Sequence, residues 1–203
     1  RLEAECMRTH TLGPFWRVKK GWGWVVHERY QARIEGQDGL TGGPVLAESA
    51  GTTGKRATWR PSACRGRRVD AENCTVKYSD DVVYNPCMEQ PDLLLAMNEP
   101  SLAMFAGIVK PGGVILVNSD LVTGESCKRD DVTVCKVPCS SLAVEIGQPR
   151  GANVIMTSAI IKLLGDFSYE DGVKGMNDMF RKKGKEKFEK GNTVAFEAGF
   201  NSV

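Results

Sequence analysis

Residues 91–119, PDLLLAMNEPSLAMFAGIVKPGGVILVNS, place a short apolar run on each side of an amphipathic segment. The runs at 92–96 and 114–117 have the length and composition of buried strands. Asn98 is suited to cap a helix that begins near Pro100. Apolar residues then recur at spacings of three and four until a Pro-Gly-Gly turn. The pattern predicts a strand, a helix and a second strand, the unit from which parallel sheets are built.

The alternation of strands and helices continues toward the C-terminus. Residues 132–137 alternate apolar with polar side chains and predict a third strand, followed by a short helix over 140–146. Residues 153–164 are apolar on nearly every face, so we expect a helix buried against the sheet or against another subunit. We therefore predict an α/β fold, a three-layer α/β/α sandwich around a mainly parallel, mixed central sheet.

Two more helices are predicted near the C-terminus. Ser168 and Asp171 have the spacing of a capping box, so a helix should begin there and end in the basic run that follows. A last helix is predicted over 185–198, with Phe188 facing inward and Gly199 as its stop.

Composition indicates one globular domain. The 203 residues are 41% hydrophobic and 26% charged, which is typical of a soluble chain. With 27 basic and 25 acidic residues the net charge is +2, so we expect neither nucleic acid nor an anionic membrane as a partner. No apolar run approaches the roughly 20 residues that span a bilayer, and no signal pattern is present, so we expect a cytoplasmic protein.

The seven cysteines are irregularly spaced and form no CxxC pair. We therefore expect reduced thiols rather than a disulfide framework or an iron–sulfur site. Cys127, Cys135 and Cys139 are the group closest to a metal site, but buried thiols are the more common reason for such residues. No metal ligand and no catalytic residue is predicted in this chain.

Asn118 and Ser119 fall where the second predicted strand ends. In open α/β sheets, ligands usually bind at the carboxyl ends of the strands. Asparagine and serine also simply end strands and begin turns. Both interpretations remain open at this point, with the turn favoured.

Over residues 91–199 the sequence resembles the gamma domain of the pyruvate, ketoisovalerate and 2-oxoglutarate ferredoxin oxidoreductases. No single block is specific, but their order and spacing are. The matching blocks are residues 91–98 with 100–101, then 109–113, 117–119 and 137–139, and finally Ala143, Glu145, Gly147, Asn153, Asn192, Ala195 and Gly199.

The N-terminal half resembles the family in part. The family's glycine-rich loop after its first strand corresponds to Gly36 and Gln37 here, with Glu35 and Asp38 where glycines are expected. A carboxylate at such a position repels a phosphate group. Residues 1–30 match poorly, so we place the gamma-type domain at 31–203.

The resemblance implies one subunit of a multi-subunit enzyme that oxidatively decarboxylates a 2-oxoacid to an acyl-coenzyme A and reduces ferredoxin. Thiamine diphosphate with magnesium, iron–sulfur clusters and coenzyme A belong to the complex, on or shared with the alpha, beta and ferredoxin-like delta subunits. This chain is expected to hold none of them alone, to pack on the thiamine-binding subunits, and to help bind coenzyme A. 2-Oxoglutarate is the first choice of substrate, before branched-chain 2-oxoacids and pyruvate.

Seven residues are candidates for cofactor binding, either by resemblance or by their place at strand ends: Gly36, Gln37, Ser62, Arg68, Asn98, Asn118 and Ser119. Two other functions are considered. A ligand-free structural or assembly subunit fits the same sequence. A free-standing Rossmann-type dehydrogenase fits less well, because no intact GxGxxG motif lies between a strand and a helix.

Overall fold

The computed structural model describes residues 30–35, 39–62, 73–83 and 90–203. Their strands form a six-stranded sheet in the order β2-β3-β1-β4-β5-β6. Strands β1, β4, β5 and β6 run parallel, whereas β3 is antiparallel to both β1 and β2. The strands are β1 (Tyr30–Glu35), β2 (Arg56–Ser62), β3 (Asn73–Ser79), β4 (Leu93–Ala96), β5 (Val114–Asn118) and β6 (Thr133–Val137).

Strand β4 is buried on both faces of the sheet. Leu93 and Leu95 belong to one apolar cluster, and Leu94 and Ala96 belong to a second cluster on the opposite face. Alternate residues of a strand point to opposite faces, so a strand apolar at every position must be covered on both sides. The neighbouring strand β5 is divided in the same way, and it places Leu116 in the first cluster.

Helices supply this cover and complete the α/β sandwich, as predicted. The larger cluster is filled by residues from five of the helices, and the smaller one by α2 and the turn that follows it. The helices are α1 (Gly39–Thr52), α2 (Glu99–Phe105), α3 (Cys139–Glu145), α4 (Ala152–Leu164), α5 (Tyr169–Lys182) and α6 (Glu189–Asn201). Within the described part of the chain, none of these helices has the length and hydropathy needed to cross a membrane.

Helix α4 is the predicted apolar helix, and the chain itself covers it. Eight consecutive residues, 154–161, are buried. Helix α6 packs along it, and α1 and α3 also contact it. The apolar faces of α4 therefore need no partner subunit, so this helix is not evidence for oligomerisation.

Two glycines allow helices to approach closely. A Cβ atom on Gly199 would lie 2.1 Å from the Ile155 carbonyl oxygen and 2.2 Å from Ser158 Oγ, both on α4. A Cβ on Gly175 would lie 2.5 Å from the Ser49 backbone nitrogen on α1. Real side chains cannot occupy such positions, so these glycines set the spacing of α6 against α4 and of α5 against α1.

The C-terminal helix differs from its prediction in three ways. It begins at Glu189 after a short 3-10 helix (Glu186–Phe188), and it continues to Asn201. Gly199 therefore lies inside the helix and does not end it. A glycine is present there because the contact with α4 leaves no room for a Cβ atom. Phe188 was expected to face inward but is 47% exposed, since it precedes the helix.

Helix α2 is shorter than predicted. Its α-helical part ends at Phe105, and a 3-10 turn (Ala106–Ile108) leads to Val109. In contrast, the capping box that opens α5 is confirmed: Ser168 accepts a hydrogen bond from the Asp171 amide, and the Asp171 carboxylate accepts one from the Ser168 amide.

Replacing Gly199 by alanine tests the close approach of α6 to α4. We expect G199A to lower the free energy of unfolding by about 1–3 kcal/mol, because the new methyl group forces the helices apart. The matched control is G51A in α1, where a Cβ would meet no atom within 4 Å. Alanine there should be neutral or stabilise by up to about 1 kcal/mol. Thermal or urea unfolding measures both, and equal stability of the two variants would contradict the packing account.

Candidate functional site

The carboxyl ends of the parallel strands form one edge of the sheet. Hydrogen-bond register aligns them in a single row across the sheet. Across the sheet from β2 to β6, the residues of this row are Ser62, Asn73, Glu35, Ala96, Val117 and Lys136. Strand β2 is parallel to β1 because both are antiparallel to β3, so Ser62 ends at this same edge. The edge thus collects the segments that follow β1, β2, β4, β5 and β6.

Asn98 lies between the end of β4 and the start of α2, and it has a structural role at this edge. Its side-chain oxygen accepts a hydrogen bond of 2.9 Å from the Ser101 amide, and its backbone is extended with φ −147°. This is N-cap geometry, in which the side chain satisfies a free amide of the first turn. The side-chain oxygen of Asn98 is therefore engaged in starting α2.

Asn118 and Ser119 lie side by side at the end of β5 but differ in burial. Asn118 is fully buried, donates through Nδ2 to Ser140 Oγ at 3.1 Å, and accepts from the Asp120 amide at 3.2 Å. Ser119 is exposed, and its amide donates to the Val137 carbonyl at 3.0 Å. Within the described residues its hydroxyl has no hydrogen-bond partner. Ser119 is thus the candidate whose side chain can still bind another group.

Residues 119–132, which follow β5, are called the β5 loop. Asp120 connects this loop to the start of α3. Its carboxylate accepts hydrogen bonds from the amides of Ser140 and Ser141, at 2.8 and 2.9 Å, and from the Ser141 hydroxyl at 2.7 Å. Free amides at the beginning of a helix favour a negative group. An internal carboxylate therefore occupies the place that a bound anion would take at α3.

Glu99 holds the other end of the same loop. Its carboxylate accepts hydrogen bonds from the amides of Thr123 and Ser126, both at 3.1 Å, and from the Ser126 hydroxyl. The Ser126 hydroxyl is the main reason that the pKa of Glu99 lies below its ordinary value. The β5 loop is consequently fixed to α2 at one side and to α3 at the other.

Sequence reasoning identified neither Asp120 nor Glu99. The acceptor and donor in these contacts are 20 to 27 residues apart, so no local spacing indicates them. One feature of the sequence does indicate them: each carboxylate lies within three residues of a strand end, close to Asn98 or Asn118.

The remaining candidates are partly placed. Ser62 lies at the carboxyl edge, across β3 from the end of β1. Gly36, Gln37 and Arg68 lie outside the described residues. The edge therefore brings together Ser62, Asn98, Asn118 and Ser119 from three separate segments, and the cofactor-binding role of all seven residues stays a prediction.

Cysteines and acidic residues make no metal site in the described ranges. No group of three or more His, Cys, Asp or Glu side chains there could hold a metal ion. Cys74, Cys127, Cys135 and Cys139 form no disulfide bond with a described residue, and all except Cys127 are buried.

Chemically, the edge near β5 and β6 is a rigid polar surface. Its carboxylates are engaged with amides, a free hydroxyl is present at Ser119, and Leu121 beside it is 65% exposed. Exposed polar and apolar groups on a fixed loop are suited to contact a neighbouring molecule.

The capping role of Asp120 can be tested by D120N. We expect the free energy of unfolding to fall by about 1 kcal/mol, because a neutral amide is a weaker acceptor for the two helix amides. Amide hydrogen exchange should also be faster at Ser140 and Ser141. D130N removes an exposed carboxylate that makes no hydrogen bond to a described residue, and it should change neither measurement. Unchanged exchange in D120N would show that the cap does not hold α3.

The Glu99 contacts predict a pH dependence of the β5 loop. Because its folded-state pKa is lowered, the ionised carboxylate stabilises the folded loop above the ordinary value of about 4.3, and this contribution is lost as pH falls through the lowered pKa. Amide protection at Thr123 and Ser126 should decrease over that acidic range. E99Q should lower protection at neutral pH and remove the acid transition, whereas E125Q in the same loop should retain it. A transition that persists in E99Q would assign it to another group.

Comparison with known proteins identifies relatives over most of the chain. Residues 33–202 match the family described as pyruvate ferredoxin/flavodoxin oxidoreductase. Ketoisovalerate oxidoreductase subunit VorA of Methanothermobacter marburgensis is 33% identical over 172 residues, which cover 83% of this chain and 34% of VorA. The chain thus spans about a third of that relative. 2-Oxoglutarate synthase subunit KorC of Methanocaldococcus jannaschii is 30% identical over 180 residues, which cover 86% of this chain and 94% of KorC.

Solved structures give the same relationship. The gamma subunit of a keto/oxoacid ferredoxin oxidoreductase from Geobacter sulfurreducens has a TM-score of 0.72 and 28% identity, over 86% of this chain and 98% of that one. The 2-oxoglutarate:ferredoxin oxidoreductase of Magnetococcus marinus, solved with 2-oxoglutarate, coenzyme A and succinyl-CoA bound, shares the fold. Its TM-score is 0.66 at 19% identity, over 85% of this chain and 31% of that one. The chain therefore belongs to the pyruvate ferredoxin/flavodoxin oxidoreductase family.

Proposed function

We propose that this chain is the gamma subunit, or gamma domain, of a 2-oxoacid:ferredoxin oxidoreductase. The complex would convert a 2-oxoacid to an acyl-coenzyme A and reduce ferredoxin. The observation that carries this proposal is the likeness to a gamma subunit over 98% of its length, together with the KorC relationship over 94% of that subunit. Residues 31–203 form the proposed gamma-type domain, in agreement with the family match over 33–202.

Within the complex, the difficult chemistry would come from cofactors. The complex would use thiamine diphosphate with magnesium for the decarboxylation and iron–sulfur clusters for electron transfer to ferredoxin. These groups would lie on or be shared with alpha, beta and ferredoxin-like delta subunits. The role proposed for this chain is to pack on the thiamine-binding subunits and to help bind coenzyme A.

2-Oxoglutarate is the substrate we propose first. The name 2-oxoglutarate synthase belongs to KorC, while VorA is named for ketoisovalerate and the family for pyruvate. Branched-chain 2-oxoacids and pyruvate follow in that order. A cytoplasmic location is proposed as well, and it is supported by four cysteines of the described region that form no disulfide bond with a described residue.

Coenzyme A would meet the carboxyl edge in two places. Its uncharged pantetheine arm can accept a hydrogen bond from the exposed Ser119 hydroxyl. A second contact is proposed for its phosphates, which would avoid Asp120 and Glu99; among the candidate residues, Arg68 carries the positive charge that suits them. In this arrangement Asn98 and Asn118 act indirectly, by holding the loops in place.

A ligand-free assembly subunit is the second candidate. One observation favours it: internal carboxylates engage the helix and loop amides near β5 and β6 that a phosphate group would use. The stand-alone dehydrogenase considered from the sequence receives no such support.

Purification of the chain from its own cells with its bound partners tests the function. We expect a thiamine-binding subunit and a ferredoxin-like subunit alongside it, and 2-oxoglutarate-dependent, coenzyme A-dependent reduction of ferredoxin by the complex. The chain by itself should be inactive. Turnover of a 2-oxoacid by the isolated chain, or a stable absence of partners, would contradict the subunit assignment.

In the same assay, S119A measures the contribution of the edge to coenzyme A binding. One lost hydrogen bond should raise the KM for coenzyme A about threefold to tenfold, with the KM for the 2-oxoacid unchanged. T133A is the matched control, because Thr133 is an exposed hydroxyl at the opposite edge of the sheet. If the KM values of S119A equal those of T133A, the ligand-free candidate is favoured.

A further inference from the structure

Positive charge is concentrated in one short segment of this nearly neutral chain. Residues 181–190, RKKGKEKFEK, contain six basic and two acidic residues, a net charge of +4. The other 193 residues contain 21 basic and 23 acidic residues, a net charge of −2. We call residues 181–190 the basic corner. It joins the end of α5 to the start of α6.

The basic corner is exposed and has a fixed backbone. Residues 181–188 and Lys190 are all exposed. Gly184 adopts a φ of 66°, and the amides of Gly184 and Lys185 donate to carbonyls in the last turn of α5, each at 2.9 Å. The 3-10 helix then leads directly into α6. The lysines are therefore presented from a structured turn.

Most of its cations are not compensated within the chain. Arg181 pairs with Glu189 at 2.8 Å, and Lys182 pairs with Glu48 at 2.7 Å. The amino groups of the other four lysines have no carboxylate within 4 Å among the described residues; they are Lys183, Lys185, Lys187 and Lys190. The only carboxylates in the segment are Glu186 and Glu189, and Glu189 is already paired.

Helix stability explains only part of this charge. Cations near the C-terminus of α5 interact favourably with the helix dipole, which accounts for residues 181–183. Lys187 and Lys190, however, lie at the N-terminus of α6, where a positive charge is unfavourable. Charges placed against the dipole of α6 reduce the stability of the isolated chain, so the stability of α6 does not explain them.

The centre of the basic corner is aromatic. Phe188 is 47% exposed, and Lys187 Nζ lies 5.1 Å from its ring centroid. An exposed aromatic ring surrounded by charged residues is typical of protein–protein interfaces, in which apolar groups form the core and charges the rim. Nucleic acid fits less well, because two glutamates are interspersed and the rest of the chain is net negative.

We propose that the basic corner is a docking surface for an acidic protein, whose carboxylates pair with Lys183, Lys185, Lys187 and Lys190 around Phe188. This contact is distinct from the carboxyl edge of the sheet, and it does not depend on the activity proposed above. Its electrostatic attraction should act mainly on the rate of association and should weaken with salt.

Poly-L-glutamate is a suitable probe for the full chain, with binding followed by fluorescence anisotropy. The test variant carries K185Q, K187Q and K190Q, and the matched control carries K128Q, R150Q and K174Q, three exposed cations elsewhere. We expect the test variant to bind about tenfold more weakly, and the control within about twofold of the unmodified chain. Binding should fall between about 50 and 200 mM salt.

Thermal unfolding serves as the folding control. Because K187Q and K190Q remove charges that oppose the α6 dipole, the test variant should be at least as stable as the unmodified chain. Equal losses in the test and control variants would overturn the proposal, since net charge alone would then explain binding. Tighter, variant-sensitive binding of single-stranded oligodeoxythymidine or of phosphatidylserine vesicles than of poly-L-glutamate would also overturn it.

Discussion

Burial of β4 and β5 on both faces is the constraint on which the rest of the structure depends. Leu93, Leu94 and Leu95 are successive and all buried, and full burial of each leucine is worth about 1.5–3 kcal/mol. Such strands are stable only with cover on both sides, so the chain must supply a helix layer to each face. Parallel strands also require crossover connections: helix α2 lies in the one between β4 and β5, whereas residues 119–132 connect β5 to β6 without a helix. Sheet, layers and connectivity thus follow from one pattern of apolar residues.

The same constraint determines the character of the carboxyl edge. Buried parallel strands emerge together, so their connecting loops converge where polar backbone groups need partners. The chain supplies these partners through Asp120 at α3 and Glu99 at the loop beyond it. Both contacts join segments that are distant in sequence. The edge is therefore rigid because the loops are tied to one another, and this rigidity is what a subunit contact requires of a surface.

Local patterns were sufficient for most of the fold. The strand–helix–strand unit and the Ser168–Asp171 capping box rest on residues a few positions apart, and the structure confirms both. Gly199 and Phe188 were misjudged for a common reason. The first is fixed by contact with α4 more than 40 residues earlier, and the second by where α6 begins. For the candidate site, topology predicted which strand ends meet, but not which side chains were already occupied, because hydrogen-bond partners such as Asp120 are not encoded by spacing.

Two regions of the surface differ in chemistry. Near β5 and β6 the amides are already engaged by carboxylates, whereas the basic corner carries cations that no carboxylate of a described residue compensates. Near β5 and β6 the carboxylates of Asp120 and Glu99 already accept from the loop and helix amides, so an anionic group approaching that half of the edge would meet repulsion as well as engaged donors. Exposed Leu121 and Val144 flank the same half and are better suited to protein contact. An anionic ligand is therefore disfavoured at this half of the edge, whereas the acidic protein proposed above would approach the turn between α5 and α6. A chain of almost zero net charge can in this way contact several partners at separate places without a strong overall field.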